Sequence, residues 1–157
     1  MAFTLATWNI NSVRLREDLV ARLMTEEAPD VLCLQECKSP VEKIPLHQFK
    51  QLGYRHMVAR GQKGYNGVAI LSKLPMVEAG SQEFAGLDHA RHIAGTLENG
   101  VTVHNFYVPA GGDVPDREVN EKFGQKLDYL RDMREAFRAD SPKKAILVGD
   151  LNIAPRE

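Results

Sequence analysis

The chain has 157 residues, 43% of them hydrophobic and 26% charged, with a formal net charge of −1. That is one domain's worth of ordinary globular sequence, long enough to bury a core and too nearly neutral for a histone-like polycation. A local basic face on a neutral chain remains compatible with a nucleic-acid partner. No apolar run approaches the roughly 20 residues that span a bilayer. Met1-Ala2-Phe3-Thr4 leads straight into a strand pattern, without the basic start and apolar stretch of a signal peptide. A soluble, cytoplasmic protein without a membrane partner is the expectation.

The period-2 alternation of residues 3–9 predicts a first strand that ends in polar residues. Asn11 or Ser12 then caps a predicted helix over roughly 13–27, with Leu15, Leu19, Leu23 and Met24 as its apolar stripe. Ala28-Pro29-Asp30 stops it. Val31-Leu32-Cys33-Leu34 is a continuous apolar run, the mark of a strand buried on both faces, and it closes on Gln35-Glu36. Strand, helix and strand within about 35 residues read as a βαβ unit. A loop and a short helix follow over 38–53, then strands over 55–59 and 67–72, joined by the glycine-rich, polar segment 61–67. Strands over 92–98 and 101–108 flank Asn99-Gly100, the strongest hairpin signal in the chain. After a loop over 109–116 comes a long helix over roughly 118–139, with Phe123, Leu127, Leu130, Met133 and Phe137 at helical spacing. Ala145-Ile146-Leu147-Val148-Gly149-Asp150 is a second buried-strand run, and only seven residues follow it. A central strand is normally covered by what comes next, so the sequence reads as the first part of a longer domain.

Cys33 and Cys37 match neither a CxxC redox pair nor a zinc set. On an extended segment their Cα atoms lie roughly 13 Å apart, too far for a disulfide, so both are expected as reduced structural thiols. The five histidines show no metal-binding spacing.

Asn9, Glu36, Tyr107 and Asp150 each stand at or near the carboxyl end of a predicted strand, with Asn152 two residues beyond. One polar residue closing a strand is ordinarily just solvated. Several together point to a site, because ligands of open α/β sheets bind outside the carboxyl ends of strands. Asn and Glu offer hard oxygen donors suited to Mg²⁺ or Mn²⁺. Asp150 suits orienting or deprotonating a water, and Asn152 and Tyr107 offer donors to a phosphoryl oxygen. No nucleophilic Ser or Cys with a neighbouring base is evident, so metal-assisted phosphate-ester hydrolysis is the better fit. Residues 54–77 carry Arg55, Arg60, Lys63 and Lys73 with no acid, and Tyr65 and Asn66 add an aromatic ring and an amide suited to a sugar–phosphate backbone. The late helix alternates cations with Asp128, Asp132 and Glu135 and reads as a solvated face with local ion pairs.

Five segments occur in order: Trp8-Asn9-Ile10-Asn11-Ser12-Val13-Arg14, Leu34-Gln35-Glu36-Cys37-Lys38, Gly61-Gln62-Lys63-Gly64-Tyr65-Asn66-Gly67-Val68-Ala69, Asn105-Phe106-Tyr107-Val108-Pro109 and Gly149-Asp150-Leu151-Asn152. Together they resemble the successive motifs of the exonuclease III family of abasic-site endonucleases, within the endonuclease/exonuclease/phosphatase superfamily. The resemblance implies a DNase I-like four-layer α/β sandwich, of which this chain supplies about the first half. It implies Mg²⁺-dependent incision beside abasic sites in double-stranded DNA, 3′→5′ exonuclease activity and 3′-end cleaning in base-excision repair, by a protein that is monomeric when intact. It implies Glu36 as metal carboxylate and Asn9 as an adjacent metal-site or hydrogen-bonding residue. Tyr107, Asp150 and Asn152 become the catalytic phenol, the water-orienting carboxylate and the phosphate-anchoring amide. Arg60, Lys63, Tyr65, Asn66 and Arg91 are the expected DNA contacts. The family's Glu-Thr-Lys is Glu36-Cys37-Lys38 here, and its closing motifs, which hold an aspartate–histidine pair, have no counterpart. The second sheet is therefore expected to be largely missing, leaving a half-sandwich with an exposed apolar face and an inactive fragment.

Two other readings compete. A non-catalytic DNA- or partner-binding module would show salt-dependent affinity without metal-dependent cutting. Hydrolysis of a small phosphodiester or phospholipid headgroup is disfavoured by the acid-free 54–77 stretch and by the lack of a membrane-binding amphipathic segment.

Overall fold

A computed structural model describes residues 2–139 and 144–154. Among these residues the chain order is β1 (Leu5–Asn9), α1 (Glu17–Glu26), β2 (Val31–Gln35), α2 (Leu46–Gln51), β3 (His56–Arg60), β4 (Val68–Ser72), β5 (Met76–Gly80), β6 (His92–Leu97), β7 (Thr102–Tyr107), α3 (Glu121–Ala139) and β8 (Ala145–Asp150). The strands form two four-stranded sheets, ordered β1-β2-β4-β3 and β5-β6-β7-β8. Both crossovers are βαβ units, since α1 links the parallel pair β1 and β2 and α3 links the parallel pair β7 and β8. The hairpin at Asn99-Gly100 forms as read, with Gly100 at φ +81° and the Asn99 side chain accepting the Val101 N–H.

Three apolar layers hold the sandwich. Val20, Met24 and Phe49 of α1 and α2 pack on Leu32, Leu34, Ala69 and Leu71, covering the outer face of the first sheet. Tyr129, Met133 and Phe137 of α3 cover Phe106 and Val108 on the outer face of the second. Between the sheets, Val31, Cys33, Val58, Val68 and Ile70 meet Met76, Ile93, Leu97 and Val103. The result is a four-layer α/β sandwich.

The expectation that the second sheet is largely missing is therefore overturned, because four strands of it already cover the inner face of the first. Part of it escaped the sequence reading: β5 is an edge strand exposed from Val77 to Gly80 and interrupted by a bulge, so it carries little apolar alternation. The segment 145–150 also differs from its reading as a doubly buried strand. Among the described residues β8 has a neighbour on one side only, and Leu147 on its outer face is 42% exposed. At the other end, α1 starts later than predicted. Residues 13–16 form turns held by Ser12, which accepts the Arg16 N–H on its carbonyl, and so Leu15 leaves the helical register and is 83% exposed. Both cysteines are free and buried, Cys33 between the sheets and Cys37 under α1, and burial pushes each thiol up to about 12. The final residues of the last predicted segment, 155–157, lie outside the described residues.

Strand alternation decides where polar groups enter the interior. On the inward faces, Leu5 of β1, Val31 and Cys33 of β2, Val103 of β7 and Val148 of β8 belong to the inter-sheet core. Continuing each row by twos reaches Thr7 and Asn9, Gln35, Asn105 and Tyr107, and Asp150. All four rows change from apolar to polar toward the carboxyl ends of their strands. The interior of the sandwich is thus greasy at one end and hydrogen-bonding at the other.

Two fold-level features carry predictions. Gly149 lies at φ +139°, and a Cβ there would overlap the Phe106 carbonyl oxygen across the β7–β8 ladder. Gly149→Ala should cost about 3 kcal/mol of stability in urea unfolding, through overpacking against rigid backbone and a φ that suits glycine. On the outer face of the second sheet, buried His92 accepts the Gln82 N–H at Nδ1 (2.9 Å). Its Nε2 is left to donate to His104 Nδ1 at 3.0 Å. Burial above all, with His104 and Arg60 adding to it, depresses the His92 imidazole to about 3. The unfolded chain, with an ordinary histidine, binds the extra proton first. This contribution to stability is complete above about pH 6.5 and falls away toward pH 3, by at most about 1.4 kcal/mol per pH unit. Urea midpoints measured across that window should slope less steeply in His92→Leu than in the unmodified protein.

Candidate active site

The four strand-end residues form one hydrogen-bonded chain. The Asn9 amide nitrogen donates to Glu36 Oε1 and to Asp150 Oδ2, both at 2.9 Å. The Tyr107 hydroxyl donates to the same Glu36 oxygen at 2.7 Å. Asp150 accepts the Asn152 N–H at Oδ1, 3.0 Å away, and the Asn152 side-chain amide donates to the Val108 carbonyl at 2.7 Å. Two members, Asn9 and Glu36, come from the first sheet, and Tyr107 and Asp150 from the second. The site straddles the sandwich.

Reaching it requires unusual backbone. Gln35 points inward, so continued strand geometry would turn Glu36 outward, to the side of Leu34. Instead Glu36 adopts φ +51°, which swings its carboxylate back toward Asn9 and Tyr107. Lys38 (φ +50°) and Asn152 (φ +49°) share this left-handed conformation, which costs non-glycine residues of order 1 kcal/mol each. Lys38 returns its ammonium to within 3.1 Å of Glu36 Oε2 and donates to Asn11 Oδ1 at 2.6 Å.

Electrostatics follow from these contacts. Burial raises the Glu36 pKa, but hydrogen bonds from Asn9, Tyr107 and Lys38 outweigh it and hold the carboxyl below its ordinary value. Tyr107 is pushed up to about 12, by burial first and then by Glu36, so it stays a protonated donor at neutral pH. Arg91 is half-buried with its guanidinium 4.8 Å above the Tyr107 ring, and it donates to the Tyr107 carbonyl at 3.2 Å. Its Nε is buried without a partner.

Beside Tyr107 opens a cleft of ≈ 410 Å³ lined by Tyr65, Asn66, His89, Arg91 and Lys122 among others. Three of the five expected DNA contacts, Tyr65, Asn66 and Arg91, thus share one wall. Lys63 is exposed in the same loop, whose Asn66 carbonyl accepts the Lys38 N–H at 2.8 Å. Arg60 is occupied elsewhere, paired with Glu83 at 2.6 Å and with Asp88, which ties β3 to the loop between β5 and β6. Lys73 is turned to the Ala28 carbonyl and the Tyr54 ring, so the cations of residues 54–77 form no single face.

The sequence reading missed several participants. Lys38 stood in a quoted motif, but nothing in its spacing showed that it would fold back on Glu36. Lys122 and Lys126 were grouped with a solvated helix face. Arg131 does pair with Asp128 and Asp132, yet Lys122 lines the cleft and Lys126 donates to the Asn152 carbonyl at 2.5 Å. A helical projection marking the residues nearest the 109–116 loop would have separated these two lysines from the rest.

This arrangement has known relatives. Residues 6–157 match the Endonuclease/Exonuclease/phosphatase family. The chain is 31% identical to exodeoxyribonuclease III of Haemophilus influenzae over 96% of its length, covering 58% of that protein. It is 30% identical to an exodeoxyribonuclease of Bacillus subtilis, over 98% of this chain and 60% of that one. Among solved structures, an AP endonuclease from Archaeoglobus fulgidus superposes with a TM-score of 0.87 at 34% identity, covering 99% of this chain and 59% of the other. A Neisseria 3′ phosphatase bound to a product DNA hairpin superposes with a TM-score of 0.85 at 33% identity, covering 99% and 60%. The chain thus spans about 60% of the length of these relatives. With the motifs, the two-sheet sandwich and the match over nearly every residue in agreement, the chain belongs to the endonuclease/exonuclease/phosphatase family.

Proposed function

We propose that the intact protein hydrolyses phosphodiester bonds in double-stranded DNA, incising at abasic sites and trimming or cleaning 3′ ends in base-excision repair. The observation that carries this reading is the chain Asp150–Asn9–Glu36–Tyr107, which joins two carboxylates, an amide and a phenol across the two sheets. Supporting it, the adjoining cleft carries Arg91 and Lys122 and no acidic residue. The named activities of the relatives above point the same way. Among the described residues no helix is long and apolar enough to cross a membrane.

The donor set fits Mg²⁺, with Mn²⁺ as a substitute. No cluster of three or more His, Cys, Asp or Glu occurs among the described residues, so a dedicated protein cage is not offered. Mg²⁺ instead takes one or two carboxylates and fills its other positions with water and substrate oxygens. Glu36 Oε2 already faces a cation, the Lys38 ammonium, and is the carboxylate oxygen best placed to hold the metal. Asn9 turns its nitrogen to the carboxylates and its Oδ1 to the Asn11 N–H at 3.2 Å, so it acts as the hydrogen-bonding bridge of the site. When bound, the metal would neutralise charge on the phosphoryl oxygens.

The remaining work belongs to side chains. Asp150, held at one oxygen by Asn9 and at the other by the Asn152 N–H, orients a water and takes up its proton as the water attacks phosphorus; the ester P–O bond opposite the water breaks, and the departing sugar oxygen takes a proton from solvent. Tyr107 keeps its own proton and donates a hydrogen bond where negative charge accumulates on the phosphate. Asn152 has a second amide hydrogen free of the Val108 contact for a phosphate oxygen. Lys63, Tyr65, Asn66 and Arg91 flank the path of the backbone, with Arg60 set beside them and paired to the loop between β5 and β6.

The test is incision of a duplex oligonucleotide carrying one abasic analogue, by the intact protein with Mg²⁺ and with EDTA. Cutting should require Mg²⁺; binding that weakens with salt but never cuts would favour a non-catalytic DNA-binding module instead. Asp150→Asn should lower kcat about 10³-fold while DNA affinity stays within a few-fold, and turnover preserved within a few-fold removes the water-orienting role. Glu36→Gln should raise the half-saturating Mg²⁺ concentration at least about tenfold, an unchanged titration excluding Glu36 from the metal site.

A further inference from the structure

Directly beneath the strand-end residues lies a second polar cluster that the proposed chemistry does not use. Gln35 is 1% and Asn105 0% exposed, in an interior otherwise lined by Val, Ile, Leu, Cys and Met. The Gln35 side-chain nitrogen donates to Asn105 Oδ1 at 2.7 Å and to Thr7 Oγ1 at 3.0 Å. The Asn105 amide donates in turn to the carbonyls of Leu34 and Ala69, both at 2.9 Å. Asn105 belongs to β7 of the second sheet, and its side-chain partners Gln35, Leu34 and Ala69 belong to β2 and β4 of the first. One buried side chain is therefore bonded to two strands of the facing sheet, and Gln35 extends the cluster to β1.

Its placement tracks the site above. Thr7 is two residues before Asn9 on the same face of β1, Gln35 immediately precedes Glu36, and Asn105 is two residues before Tyr107 on the same face of β7. Each residue of the lower cluster sits one step down the strand from a residue of the upper one. Apolar contacts between sheets are non-directional and tolerate small slides, whereas hydrogen bonds lose strength steeply with misplacement. Glu36 and Tyr107 come from opposite sheets, so any slide of one sheet on the other changes their 2.7 Å contact. We propose that Thr7, Gln35 and Asn105 form an inter-sheet bolt whose function is to fix the separation of Glu36 and Asn9 from Tyr107 and Asp150. These are positioning residues; none touches the reacting phosphate.

The assignment rests on the phosphodiesterase reading, and its test separates the two. Asn105→Leu alone strands the buried Gln35 amide and should lower stability. Pairing it with Gln35→Met removes donor and acceptor together, which restores most of the loss because no buried polar side chain is left unmatched. In the intact protein, the Gln35→Met/Asn105→Leu variant should melt within a few degrees of the unmodified protein. Its kcat on abasic duplex should fall about 10- to 100-fold with KM changed less than threefold, the effect of misplacing reacting groups by a fraction of an ångström to an ångström. A crystal structure of the double variant should show the Glu36–Tyr107 and Asn9–Asp150 contacts lengthened. If the unmodified protein does not cut DNA, the phosphodiesterase reading fails and the crystal structure alone judges the bolt. Native distances at all site contacts overturn it, as does native kcat in a stable double variant. Should the double variant fail to fold, Thr7→Val, which removes one arm of the cluster at constant shape, must give a smaller kcat loss of the same kind; native kcat and contacts there overturn the bolt equally.

Discussion

A polar side chain fully buried between the two sheets, as Gln35 and Asn105 are, has to find its partner within the protein, because an unmatched buried group costs more than a typical hydrogen bond contributes. That requirement organises this molecule. Four inward-facing rows begin apolar and end in Asn9, Gln35, Asn105, Tyr107 and Asp150. Those residues satisfy one another and the facing backbone, and they do so almost entirely from one sheet to the other. The apolar end supplies cohesion and the polar end supplies register. Neither task could be exchanged: a fully apolar interior would pack but slide, and a fully polar one would not cohere.

Much of this was legible in the sequence. The runs at 31–34 and 145–148, the Asn99-Gly100 turn and the polar strand ends all report local rules of period and turn chemistry, and those rules hold wherever the neighbours agree. What stayed hidden depends on neighbours. Nothing local to Met76-Val77-Glu78-Ala79-Gly80 marks an edge strand, since an edge needs no apolar face of its own. Leu15 sits at helical spacing from Leu19, yet Ser12 holds a turn before α1 and puts it into solvent. Asn9 could be read as a metal ligand or a hydrogen-bonding residue from its type, and its contact with Asp150 of the other sheet is visible only once the two sheets are packed. Asn105 looked like an ordinary member of a motif. Its meaning appears once β7 lies over β2 and β4.

The cationic residues make the same point. Arg60 and Lys73 share a stretch with Lys63, and composition alone would join them in one patch. The fold sends Arg60 to Glu83 and Asp88 and Lys73 to the Ala28 carbonyl, while it recruits Lys122 from a helix 60 residues further along. Charge in a sequence counts residues, whereas charge on a surface depends on which acids reach them first. A cleft lined by half-buried Arg91, stacked over the Tyr107 ring, and by Lys122 is the arrangement that results.

The left-handed backbone at Glu36, Lys38 and Asn152 has an evolutionary consequence. These are positions where glycine would relax the chain, and where glycine would also delete the carboxylate, the ammonium and the amide that the site uses. Selection for stability alone favours glycine there and so opposes whatever these three side chains contribute to the site. A drifting lineage released from its chemistry should lose them early while Val31, Ile70 and Val103 persist. The pattern of decay in such a lineage would record which residues served the fold and which the fold was made to carry.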